Sequence, residues 1–314
     1  MSRRADLAAL AALGLGAALG LGAALYAWWE STAVEISRRP LFVPDLPPGL
    51  DGLRVLHISD THFPESADSV GRFLELVWPL EYDLVLCTGD YVETAAGWDA
   101  AADALTQLRA PFGVYATLGA HDYCAPVRSL SSWLQFNADR LLQRRRKMID
   151  PTPFIERLES AGVVVLRNEW RSAEIGGELV RIAGADDASV GMARLGQALP
   201  PADLAPAGFD LLLTHSPDAV LNLRRERQQP ALVFSGHTHG GQIRVPGWGA
   251  PVRHSNLVTR QNPSGLFLPY GDDGPQVVVS RGFGTAFVPF RFACRPELGL
   301  YELRRTGVAA RSDV

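Results

Sequence analysis

What most constrains this 314-residue chain is the way its short apolar runs end. Runs rich in Val, Ile, Leu and Phe recur at residues 53–58, 84–87, 113–118, 163–166, 179–183, 209–213, 231–234, 277–279 and 298–303, each of strand length. Helix-like stretches at 70–78 and 98–108 fall between some of them, so the pattern predicts a mixed α/β fold. Five runs are followed within three residues by Asp or His: Ser59-Asp60-Thr61-His62, Gly89-Asp90, Gly119-Ala120-His121-Asp122, Thr214-His215-Ser216 and Gly236-His237-Thr238-His239-Gly240-Gly241-Gln242. Five of the seven histidines sit in these clusters, a concentration that scattered core or surface histidines would not produce. Polar side chains on loops after successive strands are how α/β folds assemble their sites.

The clustered residue types suit a cation. Divalent ions such as Mn, Fe, Zn or Mg take carboxylate and imidazole ligands, and a two-metal site needs a carboxylate able to bridge ions about 3.5–4 Å apart. In Asp60-x-His62 and His237-x-His239 an extended backbone points both side chains the same way, and the neighbouring glycines permit close backbone approach.

In this order the blocks resemble the calcineurin-like metallophosphoesterase superfamily, and its membrane-linked bacterial branch with a Gly-His-Thr-His-Gly-Gly-Gln signature. The resemblance covers roughly residues 53–303. It implies two face-to-face mixed β-sheets flanked by helices, with metals at one edge. Carried over, it implies one divalent ion held by Asp60, His62, Asp90 and His239, and a second held by Asp90, His215 and His237 with Asp90 as the bridge. His121 is then expected at the leaving oxygen or a nonbridging phosphoryl oxygen, so His121 and Asp90 are the expected catalytic residues. The implied activity is hydrolysis of a phosphomonoester, phosphodiester or pyrophosphate bond of a small molecule or of a lipid- or envelope-linked substrate. Segments 280–284 and 295–297 also resemble that branch, as strand ends and loops that bind no metal.

One block departs. Where the family has an asparagine ligand for the second metal, this chain has Ala120, whose methyl group offers no oxygen. The second site is therefore expected to bind weakly or to recruit water, Asp122 or the substrate phosphate. This departure is the sole support for a rival reading, a degenerate metal-binding, membrane-anchored interaction or sensor protein.

At the N-terminus, residues 7–29 carry no charge and are mainly Leu, Ala and Gly, which predicts a single transmembrane helix in the cell membrane. Arg3 and Arg4 precede it and Trp28 and Trp29 close it; Arg38 and Arg39 beyond it balance the first basic pair, and the expected topology places the catalytic domain on the outer face. Gly16 and Gly20 offer a small-residue pair for a homodimer through this anchor. The expected organisation is an anchor over 1–30, a Pro-rich linker over 31–52, a metallophosphoesterase domain over 53–304 and a tail over 305–314. The basic, apolar segment 133–148 would meet membrane lipids or cap the site, or form a solvated surface helix.

Other signals are plainer. A net charge of −4 gives no ground for nucleic-acid binding, and three scattered cysteines make neither a disulfide framework nor a zinc site. His57, inside an apolar run, reads as structural. His254 lies in a polar loop without an evident partner, and Asp186 and Asp187 read as turn residues.

Overall fold

The computed structural model describes residues 3–123, 148–204, 208–225, 229–272 and 274–306. The basic segment 133–148 falls outside these but for its last residue, as does the tail beyond Thr306.

The nine apolar runs, with three further strands at Glu35–Val43, Glu169–Ile175 and Gly265–Phe267, form two six-stranded sheets. The first contains β1 (Glu35–Val43), β2 (Arg54–Ile58), β3 (Leu84–Thr88), β4 (Val114–Thr117), β5 (Val163–Val165) and β12 (Glu297–Arg305), in the order β1-β12-β2-β3-β4-β5. The second contains β6 (Glu169–Ile175), β7 (Glu178–Ala185), β8 (Phe209–Thr214), β9 (Leu232–Ser235), β10 (Gly265–Phe267) and β11 (Gln276–Val279), in the order β10-β11-β9-β8-β7-β6. Strands β2 to β5 run parallel, as do β7, β8, β9 and β11.

Successive side chains on a strand point to opposite faces, and this splits the apolar residues into three layers. Val55, Leu84, Leu86, Leu211, Leu213, Phe234 and Leu303 fill the space between the sheets. On the outer face of the first sheet, Leu56, Ile58, Val85 and Cys87 pack against α2 (Ala67–Val77), α3 (Trp98–Leu105) and α5 (Thr152–Ser160), the helix after the short α4 (Ala120–Tyr123). On the outer face of the second, Leu212, Val233 and Val277 meet Leu195 of α6 (Leu195–Ala198) and Val220. Central strands buried on both faces read as unbroken apolar runs, which is why they were legible. Helix α2 starts at Ser66, whose side chain accepts from the Asp68 N–H at 3.3 Å, and Asp68 complements the N-terminal dipole.

Two expectations are corrected here. The supposed linker contains β1, an edge strand paired in parallel with β12; Ile36, Leu41 and Val43 make it a strand, and Pro40 is tolerated because it lies at a sheet edge. The N-terminal segment is helical, α1 (Arg3–Thr32), but among the described residues no helix is long and apolar enough to cross a membrane. Single-pass membrane localisation is thereby overturned, and with it the ground for pairing through Gly16 and Gly20. The physical reason lies in its last turns, which belong to the globular fold. Buried Glu30 accepts the N–H groups of Ala293 and Cys294 at 2.7 and 2.9 Å, the Arg291 N–H donates to Ala27 O, and the Tyr26 ring meets Phe292 edge-on.

Because β2, β3, β4, β8 and β9 are parallel within their sheets, their carboxyl ends emerge at one rim, and all five clusters follow those ends. Bonds between the sheets tie them together there, among them His237 N–H donating to Asp60 at 3.0 Å and Thr117 Oγ1 donating to Ala185 O at 2.9 Å.

Candidate metal centre

The six expected ligands meet at this rim in two groups. Asp60, His62 and His239 bring one ligand atom each within 4.8 Å of the others, and Asp90, His215 and His237 do the same. His62 Nε2 lies 3.1 Å from His239 Nε2, and Asp60 Oδ1 lies 3.4 Å from that same His239 nitrogen. In the other group Asp90 Oδ2 is 3.0 Å from His215 Nε2, which is 3.3 Å from His237 Nδ1. The same Asp90 oxygen is 3.9 Å from His62 Nε2, so it faces both groups.

The backbone is bent to achieve this. Asp60, His62, Asp90, His237 and His239 all have φ between 43° and 70°, the left-handed region that non-glycine residues seldom occupy. Such conformations persist only where the surroundings over-determine them, and they gather at functional sites. Close approach also decides two glycines: a Cβ at Gly119 would collide with the Asp90 carboxylate, and one at Gly236 with Asp60 and Ser59.

Asp90, His215 and His239 are braced by bonds at their other atoms. His215 Nδ1 sits 2.8 Å from Thr88 O, a contact only a protonated Nδ1 can make, so Nε2 is the ring nitrogen turned towards Asp90. Asp90 Oδ1 accepts the His121 N–H at 2.8 Å, leaving Oδ2 for the centre. His239 rests on Arg291, a fully buried arginine whose guanidinium donates to the carbonyls of His239, Arg281, Gly282 and Gly284.

Sequence reasoning missed Glu93. Its Oε2 lies 2.9 Å from His62 Nδ1 and 3.6 Å from His121 Nδ1, and neither contact has hydrogen-bond alignment. A carboxylate behind a ligating histidine fixes the ring and raises its basicity. Only its position three residues after Asp90 hinted at this. Asp122 was expected as a stand-in for the missing asparagine, but its two oxygens accept the N–H groups of Asp90, Tyr91 and Gly119 at 2.9 Å, turning them away from the centre.

The electrostatics suit a cation. Burial pushes Asp90 up, yet His215, His121 and His62 outweigh it and hold the carboxyl well below its usual range. Burial pushes His215 down, yet Asp90 carries it well above its ordinary value. Burial, with His62 and Arg291, holds His239 well below its ordinary value. Imidazole nitrogens facing each other at 3.1–3.3 Å beside two buried carboxylates form a donor set that a divalent ion would fill.

Of the remaining polar residues, His57 is structural: fully buried, bonded to Thr88 Oγ1 at 2.9 Å, and pushed down to about 3 by burial. Asp187 accepts the Ser189 N–H, the turn role expected of it, whereas Asp186 instead bonds the distant Tyr123 and Asn168. His254 is placed differently from the expectation. Its ring stands edge-on to His237 at 6.4 Å, and it lines a cavity of about 240 Å³ with Asp90, Ala120, His121, His237 and His239.

Comparison with known proteins agrees with this geometry. Residues 53–241 match the family described as "Calcineurin-like phosphoesterase". The chain is 28% identical over 317 residues to "Uncharacterized metallophosphoesterase YkuE" of Bacillus subtilis (strain 168), covering 98% of this chain and 99% of that protein. It is 28% identical to "Phosphodiesterase YaeI" of Escherichia coli (strain K12), over 80% of this chain and 82% of that one. It is 26% identical to "UDP-2,3-diacylglucosamine pyrophosphatase LpxG" of Chlamydia muridarum, over 86% of this chain and 89% of that one. With the family match spanning more than half its length, this chain belongs to the calcineurin-like phosphoesterase family and is a metallophosphoesterase, a hydrolase of phosphoric esters.

Proposed function

We propose that this protein hydrolyses a phosphodiester or pyrophosphate bond at a centre that holds two divalent cations. The observation that carries the reading is the convergence of two His/Asp groups, with Asp90 of one facing His62 of the other, beside one small cavity that Asp90, His121, His237 and His239 line. Asp60, His62 and His239 would hold one cation and His215 and His237 the other, with Asp90 turned towards both groups. When bound, such ions neutralise charge on the phosphoryl oxygens and supply a water nucleophile at neutral pH.

The chain's own residues do the rest. His121 donates a proton from Nε2 to the departing oxygen, with Glu93 beside Nδ1 favouring the charged ring until transfer. Gly119 lets Asp90 sit against the β4 turn, and the His121 N–H keeps that carboxylate in register. Ala120 lines the cavity where a further ligand would stand, so the cation on the His215 side is the weaker of the two. The catalytic unit is proposed to run from β1 to residue 304, wider at its start than residues 53–304. A relative named as a pyrophosphatase of a diacylated sugar nucleotide makes lipid-bearing nucleotides reasonable substrates alongside soluble esters.

The test is hydrolysis of bis(p-nitrophenyl) phosphate, p-nitrophenyl phosphate and a nucleotide sugar by the full chain loaded in turn with Mn, Fe, Zn or Mg. Metal-dependent turnover should fall about 10²- to 10⁴-fold in His121→Ala. No turnover with any ion, or turnover unaffected by that substitution, contradicts the reading.

A further inference from the structure

The cavity over the centre has one rim that the hydrolytic residues leave unused. That rim comprises Pro251, Val252, Arg253, His254 and Asn256, with Asp218 beneath it. Arg253 is the only arginine or lysine among the described residues lining the cavity.

The loop is fixed in place. Asp218, three residues beyond His215, accepts four hydrogen bonds from it: from Ser255 Oγ at 2.5 Å, from the Asn256 and Leu257 N–H groups at 2.7 and 3.3 Å, and from Asn256 Nδ2 at 2.9 Å. Residues 253 and 254 are thus pinned to the strand end that carries His215, and the His254 ring stands against His237. The Asp218 carboxylate, saturated by these donors, is turned to holding the loop.

Arg253 differs from the other arginines near the rim. Arg281 is paired with Glu297 and Glu35 at 2.7 and 3.0 Å, and Arg291 is caged by carbonyls. Arg253 makes one long bond, to Asn256 Oδ1 at 3.4 Å, and among the described residues it has no carboxylate within ion-pair distance. An exposed guanidinium held over a site for one phosphoryl group suits a second anionic group, because its planar fork matches phosphate oxygens. A cavity of about 240 Å³ is below the roughly 300–1,000 Å³ that encloses a drug-sized ligand, so it takes adjacent phosphoryl groups and leaves the organic substituents outside.

We propose that Arg253 binds the second, non-reacting phosphoryl group of the substrate, which makes a pyrophosphate diester the preferred substrate class over a simple diester. This rests on the phosphoesterase reading above and deepens it. Arg253 touches the substrate away from the reacting phosphorus, so its effect belongs mainly in KM.

The experiment compares wild type, Arg253→Ala and Arg253→Lys, all as metal-loaded full chain. Two substrates are used: UDP-glucose, a pyrophosphate diester, and thymidine 5′-(p-nitrophenyl) phosphate, a diester with one phosphorus. Arg253→Ala should lower kcat/KM for UDP-glucose about 10- to 100-fold through KM, and lower it for the nucleotide ester less than about threefold; Arg253→Lys should recover part of the loss. Equal effects on both substrates, no effect on either, or wild type cleaving the ester but never UDP-glucose overturns the Arg253 assignment and leaves the phosphoesterase reading standing. Wild type inert towards both substrates overturns both.

Discussion

The two ligand groups differ in how well each is completed. Around Asp60, His62 and His239, the outer atoms have close neighbours: Glu93 lies behind His62, Arg291 behind His239, and the His237 N–H on Asp60. Around Asp90, His215 and His237 the bracing is also present, through Thr88 O and the His121 N–H, but the position facing the cavity is the Ala120 methyl. Bracing and ligation are therefore separable in this fold. At residue 120 the turn after β4 presents a methyl group to the cavity, with no oxygen to offer a cation.

The largest test of that comparison is Asp90→Asn, which removes the one carboxylate facing both groups. It should abolish measurable turnover, a loss beyond about 10³-fold, and weaken both cations; loss of one cation alone, read by metal analysis, would show that the groups are independent. Next in size is Glu93→Gln. Because it acts through His62 and His121, it should cost about 10- to 100-fold in metal affinity or activity, with the alkaline limb of the pH–rate profile moving to lower pH as His121 loses its supporting charge. An unchanged profile would make Glu93 a bystander.

Both substitutions bear on what could be foreseen. The strands were legible because parallel strands buried on both faces are written as continuous apolar runs, and the ligands because they directly follow those runs. Glu93 was not, since its partners His62 and His121 lie 31 and 28 positions away and only the fold makes them neighbours. The pinned loop under Arg253 was hidden for the same reason: Asp218 reaches it across 37–39 positions. Strand β1 was obscured by Pro40 and the prolines that follow the strand, which local reading takes for a linker; a sheet edge accepts Pro40. Helix α1 was read from hydropathy alone, whereas Glu30 and Ala27 commit its end to backbone of the globular domain.

The smallest effect contrasts the rim with the core beneath it. His57, bonded to Thr88, should show in stability and leave the chemistry alone. Burial lowers its folded value to about 3 from 6.5, so between those limits the unfolded chain holds a proton that the folded chain refuses. Stability is then retained above about pH 6.5 and lost as pH falls towards 3, by up to about 1.4 kcal/mol per pH unit for this group. In urea unfolding at pH 6.5 and pH 5, His57→Gln should remove that share of the acid sensitivity; the same slope in both proteins would assign it to other groups.

The most direct test of unequal cation sites is calorimetric titration of the full chain with Mn²⁺, beside Ala120→Asn. Two classes of site are predicted for wild type, the weaker tightened about tenfold or more by the added side-chain oxygen while the tighter stays fixed. Superimposable titrations of the two proteins, or a single class of equal sites in wild type, would contradict the account.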